Sequence, residues 1–270
     1  MDNIYELLFD ALMEKSADEK MVKVSHIYNL CIQNPNNLCF DKTPIEQVEI
    51  PGRPIKPSLV RFEDIPKRDK SENGIIATIH AICHIEFNAI NLALDAGYRF
   101  QDMPKQFIFD WVKVAFEEAK HFKLLRDYLQ ELGFNYGDFK AHNGLWKMTK
   151  DTDYSTLSRM ALVPRVLEAK GLDATPGMIK RFKNSKFSKM ADILQIIYID
   201  EIGHVKIGNY WYKYLCNLDN LDYIQTFDDL IKKHLGQKLR GPFNIDGRLK
   251  AGFTQEEIYF LEIKTVNVNN

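Results

Sequence analysis

Cysteine is scarce: the 270 residues hold four, Cys31, Cys39, Cys83 and Cys216. They form no C-x-x-C and no even-spaced framework, which excludes a disulfide scaffold and leaves a reducing cytoplasm as the simplest compartment. Net charge is nearly absent as well, at −1, so no global field recruits nucleic acid or a membrane. No run approaches the ~20 apolar residues of a membrane span. The start, Met1–Lys20, spreads acids through a modest stripe of Ile4, Leu7, Leu8, Ala11 and Leu12. That is the pattern of an amphipathic helix, not of a signal peptide. What is present is apolar mass: 45% apolar and 12% aromatic residues are ample for a core, in one large domain or one domain with substantial arms.

Residues 1 to about 35 read as two short helices, closed by the turn-rich Asn34-Pro35-Asn36-Asn37. Prolines at 44, 51, 54, 57 and 66 exclude a continuous helix from Thr43 to Lys67. The apolar residues of this stretch, Ile45, Val48, Ile50, Ile55, Leu59, Val60, Phe62 and Ile65, suggest a strap packed on a core domain.

Four long helices are then expected. The first runs from a Ser71 cap to Gly97, the second from Pro104 to Gly133, the third from a Ser155 cap with a kink at Pro164, and the fourth from Ser188 to about Cys216. Gly171 and Thr175-Pro176-Gly177 should interrupt or end the third. Between the second and third lies a crossover, Phe134 to Tyr154, long for a simple hairpin. Another helix is expected over Leu218–Gly236, and Thr254 with Glu257 has the capping-box spacing of a last helix. The tail Asn267–Asn270 should fray. The domains expected are therefore 1–67 (helices and Pro-rich strap), 68–217 (four-helix bundle) and 218–270 (C-terminal helical segment packed on the bundle).

Acids and histidines break the apolar stripes of those four helices. Glu86 interrupts Ile75, Ile79, Ile82, Ala89 and Ala93, and Glu118 with His121 interrupts Trp111, Val114 and Leu125. Glu168 does the same in the third helix, and Glu201 with His204 in the fourth. A charge on a core face is costly unless it is paired or binds metal. In a helix, Glu118 and His121 lie about 60° apart on one face, as do Glu201 and His204. Each Glu-x-x-His follows a lone glutamate at nearly equal distance, 32 residues for Glu86 and 33 for Glu168. Chance would produce both at about one in a hundred or less. The remaining reading is an internal duplication of the ligand set found in ferritin-like di-iron or di-manganese bundles. Carboxylates and imidazoles together suit Fe, Mn or Zn, and four carboxylates nearly balance two divalent ions. The small Ala115, Gly203 and Gly208 leave room for a pocket beside the ligands.

With the helices laid out, the chain resembles a bacterial ferritin-like family known as DUF455. The resemblance is carried by His80–Ile90, by Leu162–Asp173 with Thr175-Pro176-Gly177, by Asp200–Val205, and by Gly241-Pro242-Phe243-Asn244. It covers about residues 50 to 260 and implies an all-α, ferritin-like fold and metal binding. More distantly, Glu86 with the Glu-x-x-His pairs is similar to the di-iron site of MiaE-type tRNA hydroxylases. No substrate-contact motif of those enzymes is matched.

Several residues have plainer readings. His80 and His84 lie about 120° or more from Glu86 around the helix, which favours hydrogen-bonded structural roles over ligation. Glu117 and Asp200 sit about 40° from His121 and His204, and metal-bound histidines usually donate their other N–H to a carboxylate. Asp200 is accordingly expected to hold His121, and Glu117 to hold His204. Tyr198, one turn before Glu201, reads as a core tyrosine before a redox one. Lys180, Arg181, Lys183, Lys186 and Lys189 with Phe182 and Phe187 read as a solvated helix surface before a nucleic-acid footprint.

The function expected is that of a di-iron carboxylate oxidase or oxygenase, taking two metal ions, Fe before Mn, with dioxygen and an unidentified substrate as partners. An electron donor could join them; a membrane is not expected, and nucleic acid is the less expected partner. The rivals are an iron-handling ferroxidase or storage protein and a non-catalytic, metal-stabilised interaction module.

Overall fold

Among the residues described by the computed structural model, 1–65, 68–236 and 239–266, helix dominates. The proline at 66, the end of the strap at 67 and the tail at 267–270 lie outside the described residues. Among these residues strand is limited to Asp2–Asn3 paired in parallel with Leu38–Cys39, so the all-α expectation holds. The chain separates into two compact units, Met1–Lys150 and Asp151–Asn270. The division falls within the stretch read as a crossover.

The first unit is built on α3 (Glu72–Arg99) and α4 (Lys105–Glu131). Ser71 caps α3 by accepting from the Gly74 amide. Gly97 does not end α3 but lies inside it, where a Cβ would come within 3.2 Å of Leu8 Cδ1. The end of α4 is the predicted one: Gly133 has φ +82, and the Phe134 amide reaches back to the Leu129 carbonyl at 2.9 Å. From Glu86 to Arg99 every residue of α3 is buried, as in a core helix. This helix is long and apolar enough to cross a membrane by length and composition alone, but 67% of its most apolar stretch is buried inside the protein.

Two shorter helices, α1 (Ile4–Met13) and α2 (Ala17–Gln33), pack on α3 and α4. Lys20 closes their corner from full burial. Its Nζ donates to the carbonyls of Ala11 and Leu12 and to Asn91 Oδ1, at 2.7, 2.9 and 2.8 Å. The strap is held less by its apolar side chains than expected. Val48 is buried, whereas Ile50, Ile55 and Phe62 are exposed. Its anchors are polar: the Thr43 amide to Gln101, the Glu46 amide to Tyr98, the Gly52 amide to the Leu12 carbonyl, and Trp146 Nε1 to the Glu49 carbonyl. At Gly52 a Cβ would fall 2.2 to 2.3 Å from the Met13–Glu14 backbone, so only glycine allows that approach. The connection to the second unit contains α5 (Gly144–Asp151).

In the second unit α6 (Thr156–Leu162) and α7 (Ala169–Lys183) are separated by a π-helical turn, Val163–Glu168. All three pack along α8 (Ser188–Leu218). Pro164 thus widens the helix where a kink was expected. Thr175-Pro176-Gly177 does not end it: α7 continues through Pro176 to Lys183. The reason is a replacement donor, Asn244 Nδ2, which takes the Leu172 carbonyl at 2.9 Å. Three further helices follow: α9 (Tyr223–Leu235), closed by Gly236 at φ +60, α10 (Ile245–Lys250) and α11 (Gln255–Val266). The capping box before α11 is formed, with the Thr254 amide on Glu257 Oε2 at 2.7 Å and the Glu257 amide on Thr254 Oγ1 at 3.1 Å.

Candidate metal centre

The first unit brings Glu86, from α3, together with Glu118 and His121, from α4. All three are buried, and their ligand atoms lie within 4.8 Å of one another. His121 turns Nδ1 toward both acids, 3.2 Å from Glu86 Oε2 and 3.3 Å from Glu118 Oε2. Burial, and then the negative charge of Glu118, raise the Glu86 carboxyl well above the usual carboxylate range, against the opposing pull of His121. Two acids and one imidazole are thus buried together. A divalent cation would let both ionise, and this donor set suits Fe, Mn or Zn.

The second unit carries the other Glu-x-x-His pair. On α8, His204 turns Nδ1 toward Glu201 Oε2 at 3.8 Å, the same pair of atoms that His121 and Glu118 oppose. His204 is fully buried and Glu201 is 8% exposed. Glu168 is half-buried at the last position of the π-helical turn. Such turns recur at functional sites. Glu86, Glu118, His121 and Glu201 all stand as buried candidates for holding a metal ion.

Around these residues the plainer readings fare as follows. His80 Nε2 accepts from the Gly137 amide at 2.8 Å, and its ring stacks on Tyr136. His84 Nδ1 lies 2.9 Å from the Tyr136 hydroxyl. Both histidines therefore pin the segment after α4 onto α3, and burial lowers each to about 4. The Tyr198 hydroxyl accepts from Asn244 Nδ2 at 2.8 Å. Phe182 and Phe187 are buried while the lysines and arginine around them are exposed, so the aromatics belong to the core and the basic residues to a solvated face. Glu117 and Asp200 are half-buried, with Lys113 Nζ 3.7 Å from Glu117. Ala115 is buried, and Gly203 has open space around a would-be Cβ. Gly208 does not open a pocket: a Cβ there would lie 2.3 Å from the Pro164 ring, so its role is to admit the widened turn against α8.

Sequence reasoning missed two features. One is Arg165, which is fully buried among three aromatic rings. An arginine on a core face signals a buried acid elsewhere, here Glu257. The second is Asn244, whose side chain serves α7, Tyr198 and the start of α10 together.

Fold and site define an all-α protein with buried carboxylate–histidine groups that could hold a metal ion. The chain belongs to DUF455, a family described as proteins of unknown function, whose profile matches residues 13–259. A protein of Haemophilus influenzae described as uncharacterized is 43% identical over 258 residues, 92% of this chain and 90% of that protein. No solved structure matches.

Proposed function

We propose that Glu86, Glu118, His121, Glu168, Glu201 and His204 form one dinuclear metal centre, and that the protein is a di-iron carboxylate oxidase or oxygenase. Residues 68–217 would form the ferritin-like bundle around that centre, resembling the MiaE-type hydroxylases. The observation that carries the reading is the buried Glu86–Glu118–His121 group. The second Glu-x-x-His pair, with the same Nδ1-to-Oε2 orientation, supports its duplication.

Bound iron would supply electrons to dioxygen for oxidation of an organic substrate. The chain's own residues would do the rest. Glu86 and Glu118 bind and balance charge, His121 and His204 offer Nδ1, and the buried flanks of α3 and α4 exclude bulk water. Glu117 and Asp200 would orient the histidines, Asp200 holding His121 and Glu117 holding His204. Loss of such a partner typically lowers metal affinity or activity about 10- to 100-fold. Iron is preferred over manganese, and a cytoplasmic location fits iron in its reduced state.

The test is anaerobic loading of metal-free protein with Fe(II), then admission of oxygen with absorbance and oxygen uptake followed. Two irons bound per chain and rapid uptake limited to the bound iron are expected. Indifference to oxygen at full loading sinks the enzyme reading, and continued oxidation of many irons per chain favours iron handling.

A further inference from the structure

The helix that carries Glu168 is irregular twice, at the π-helical turn Val163–Glu168 and at Pro176. Pro164 and Pro176 each lack the amide that a regular helix would use. Left alone, such a segment has several ways to settle, and a ligand at the end of a widened turn would move with it.

Both irregularities are met by residues from after Gly241. Asn244 Nδ2 takes the carbonyl that Pro176 leaves behind. At the other, Arg165 Nη2 donates to Glu257 Oε1 at 2.8 Å and Nη1 donates to Asn209 Oδ1. The guanidinium lies 4.3 Å from the ring centroids of Tyr212 and Phe227 and 4.7 Å from that of Phe253. Glu257 is itself immobilised, accepting from Lys213 Nζ at 2.9 Å and from the Thr254 amide at 2.7 Å. Burial alone would raise its carboxyl, but Arg165, Lys213 and the Thr254 amide bring it below the usual range.

A buried ion pair is often no more stabilising than apolar residues of the same volume, because desolvation offsets the attraction. What this pair does supply is direction. A planar fork held by one carboxylate, one amide oxygen and three rings has a single orientation, and Arg165 lies three residues before Glu168 in the same turn.

We propose that Arg165 and Glu257 form a clamp through which the C-terminal segment holds the π-helical turn, and with it Glu168, in position to bind metal. Arg165 and Glu257 are then positioning residues, and the inference rests on Glu168 being a ligand. The supporting shell of a metal site commonly sets affinity in this way.

The experiment has one readout without metal and one with it. Glu257→Ala, Glu257→Gln and the volume-conserving pair Arg165→Met with Glu257→Leu are compared with the wild type. In metal-free protein, amide exchange across residues 163–168 should rise at least tenfold in Glu257→Ala and in the double variant, with α8 unchanged. Glu257→Gln, which can still accept from Arg165, should stay near the wild type. Anaerobic titration with Fe(II) should then show at least tenfold weaker binding in Glu257→Ala and in the double variant, with recovery in Glu257→Gln; the double variant, which leaves no buried charge unpaired, should melt close to the wild type. Unchanged exchange overturns the clamp. Raised exchange with wild-type Fe(II) affinity overturns its role in placing a ligand. A wild type that binds no Fe(II) removes the metal reading itself, and the ligand-positioning role with it.

Discussion

The carbonyl oxygen of Leu172, left without its helical donor by Pro176, accepts instead from the side-chain amide of Asn244 at 2.9 Å. A side chain 72 residues away in sequence thus completes one turn of α7. The same amide nitrogen lies 2.8 Å from the Tyr198 hydroxyl, and Asn244 Oδ1 accepts from the Gly247 amide at 3.1 Å to start α10. Asp173 accepts the Asn244 amide at 2.9 Å and two bonds from Arg248 at 2.9 and 2.7 Å. Leu172-Asp173 and Gly241-Pro242-Phe243-Asn244 are therefore two sides of one joint.

Asn244→Ala should destabilise the protein by about 1–3 kcal/mol, since it strands buried or half-buried polar groups. In a Pro176→Ala background the helix regains its own donor for Leu172, so the cost of Asn244→Ala should shrink by at least about 0.5 kcal/mol. Urea unfolding of the four proteins measures this. Equal costs in both backgrounds would show that Asn244 does not serve the Leu172 carbonyl.

Much of this was legible in the sequence. Ser71, Ser155, Gly133 and the Thr254–Glu257 box marked helix ends because those signals act within one turn, and all four are where expected. Glu86, Glu118, His121 and Glu201, which stand as buried candidates for holding a metal ion, were legible because charge on an apolar stripe is costly. Pro176 misled because its local effect, a lost amide, is repaired by a residue far along the chain. Gly208 misled because a glycine on an inner face serves a pocket or a close approach equally well, and only the position of Pro164 decides. The strap's isoleucines misled because hydrophobicity says nothing about anchoring by backbone amides.

Gly208→Ala should cost about 1–3 kcal/mol, the usual penalty for overpacking, because the new methyl would sit 2.3 Å from two atoms of the Pro164 ring. Helix propensity alone predicts the opposite, a gain of about 1 kcal/mol for Gly to Ala within α8. Thermal unfolding decides between the signs. Pro164→Ala in the same chain should recover part of the loss.

His80 makes stability fall in acid. Burial lowers its folded value to about 4, whereas an unfolded histidine titrates near 6.5. Between those values the unfolded chain binds a proton that the folded one refuses, so stability drops as pH falls from about 6.5 to 4 and is fully retained above. Protonation would also remove the lone pair that accepts from the Gly137 amide. His80→Gln keeps an acceptor without the titration. Its stability relative to the wild type should improve by on the order of 3 kcal/mol on going from pH 7 to pH 4. Parallel pH profiles in urea would refute the assignment.

Glu86→Gln should have effects of opposite sign with and without metal. In the metal-free protein at pH 7, burial and the Glu118 charge make ionised Glu86 unfavourable. A neutral amide of the same shape should therefore leave the melting temperature unchanged or raise it. When a divalent ion binds the native state, stability grows with ligand concentration, by about 2.7 kcal/mol at a hundred times the dissociation constant. Removing one carboxylate ligand should cut that gain sharply. The measurement is differential scanning fluorimetry of wild type and variant in chelator, then with Fe(II) or Mn(II) added anaerobically. A site built only for stability would lose melting temperature on substitution under both conditions. A metal centre retains or gains it in chelator and loses the metal-dependent rise, because the same buried negative charge that strains the empty protein is what attracts the cation.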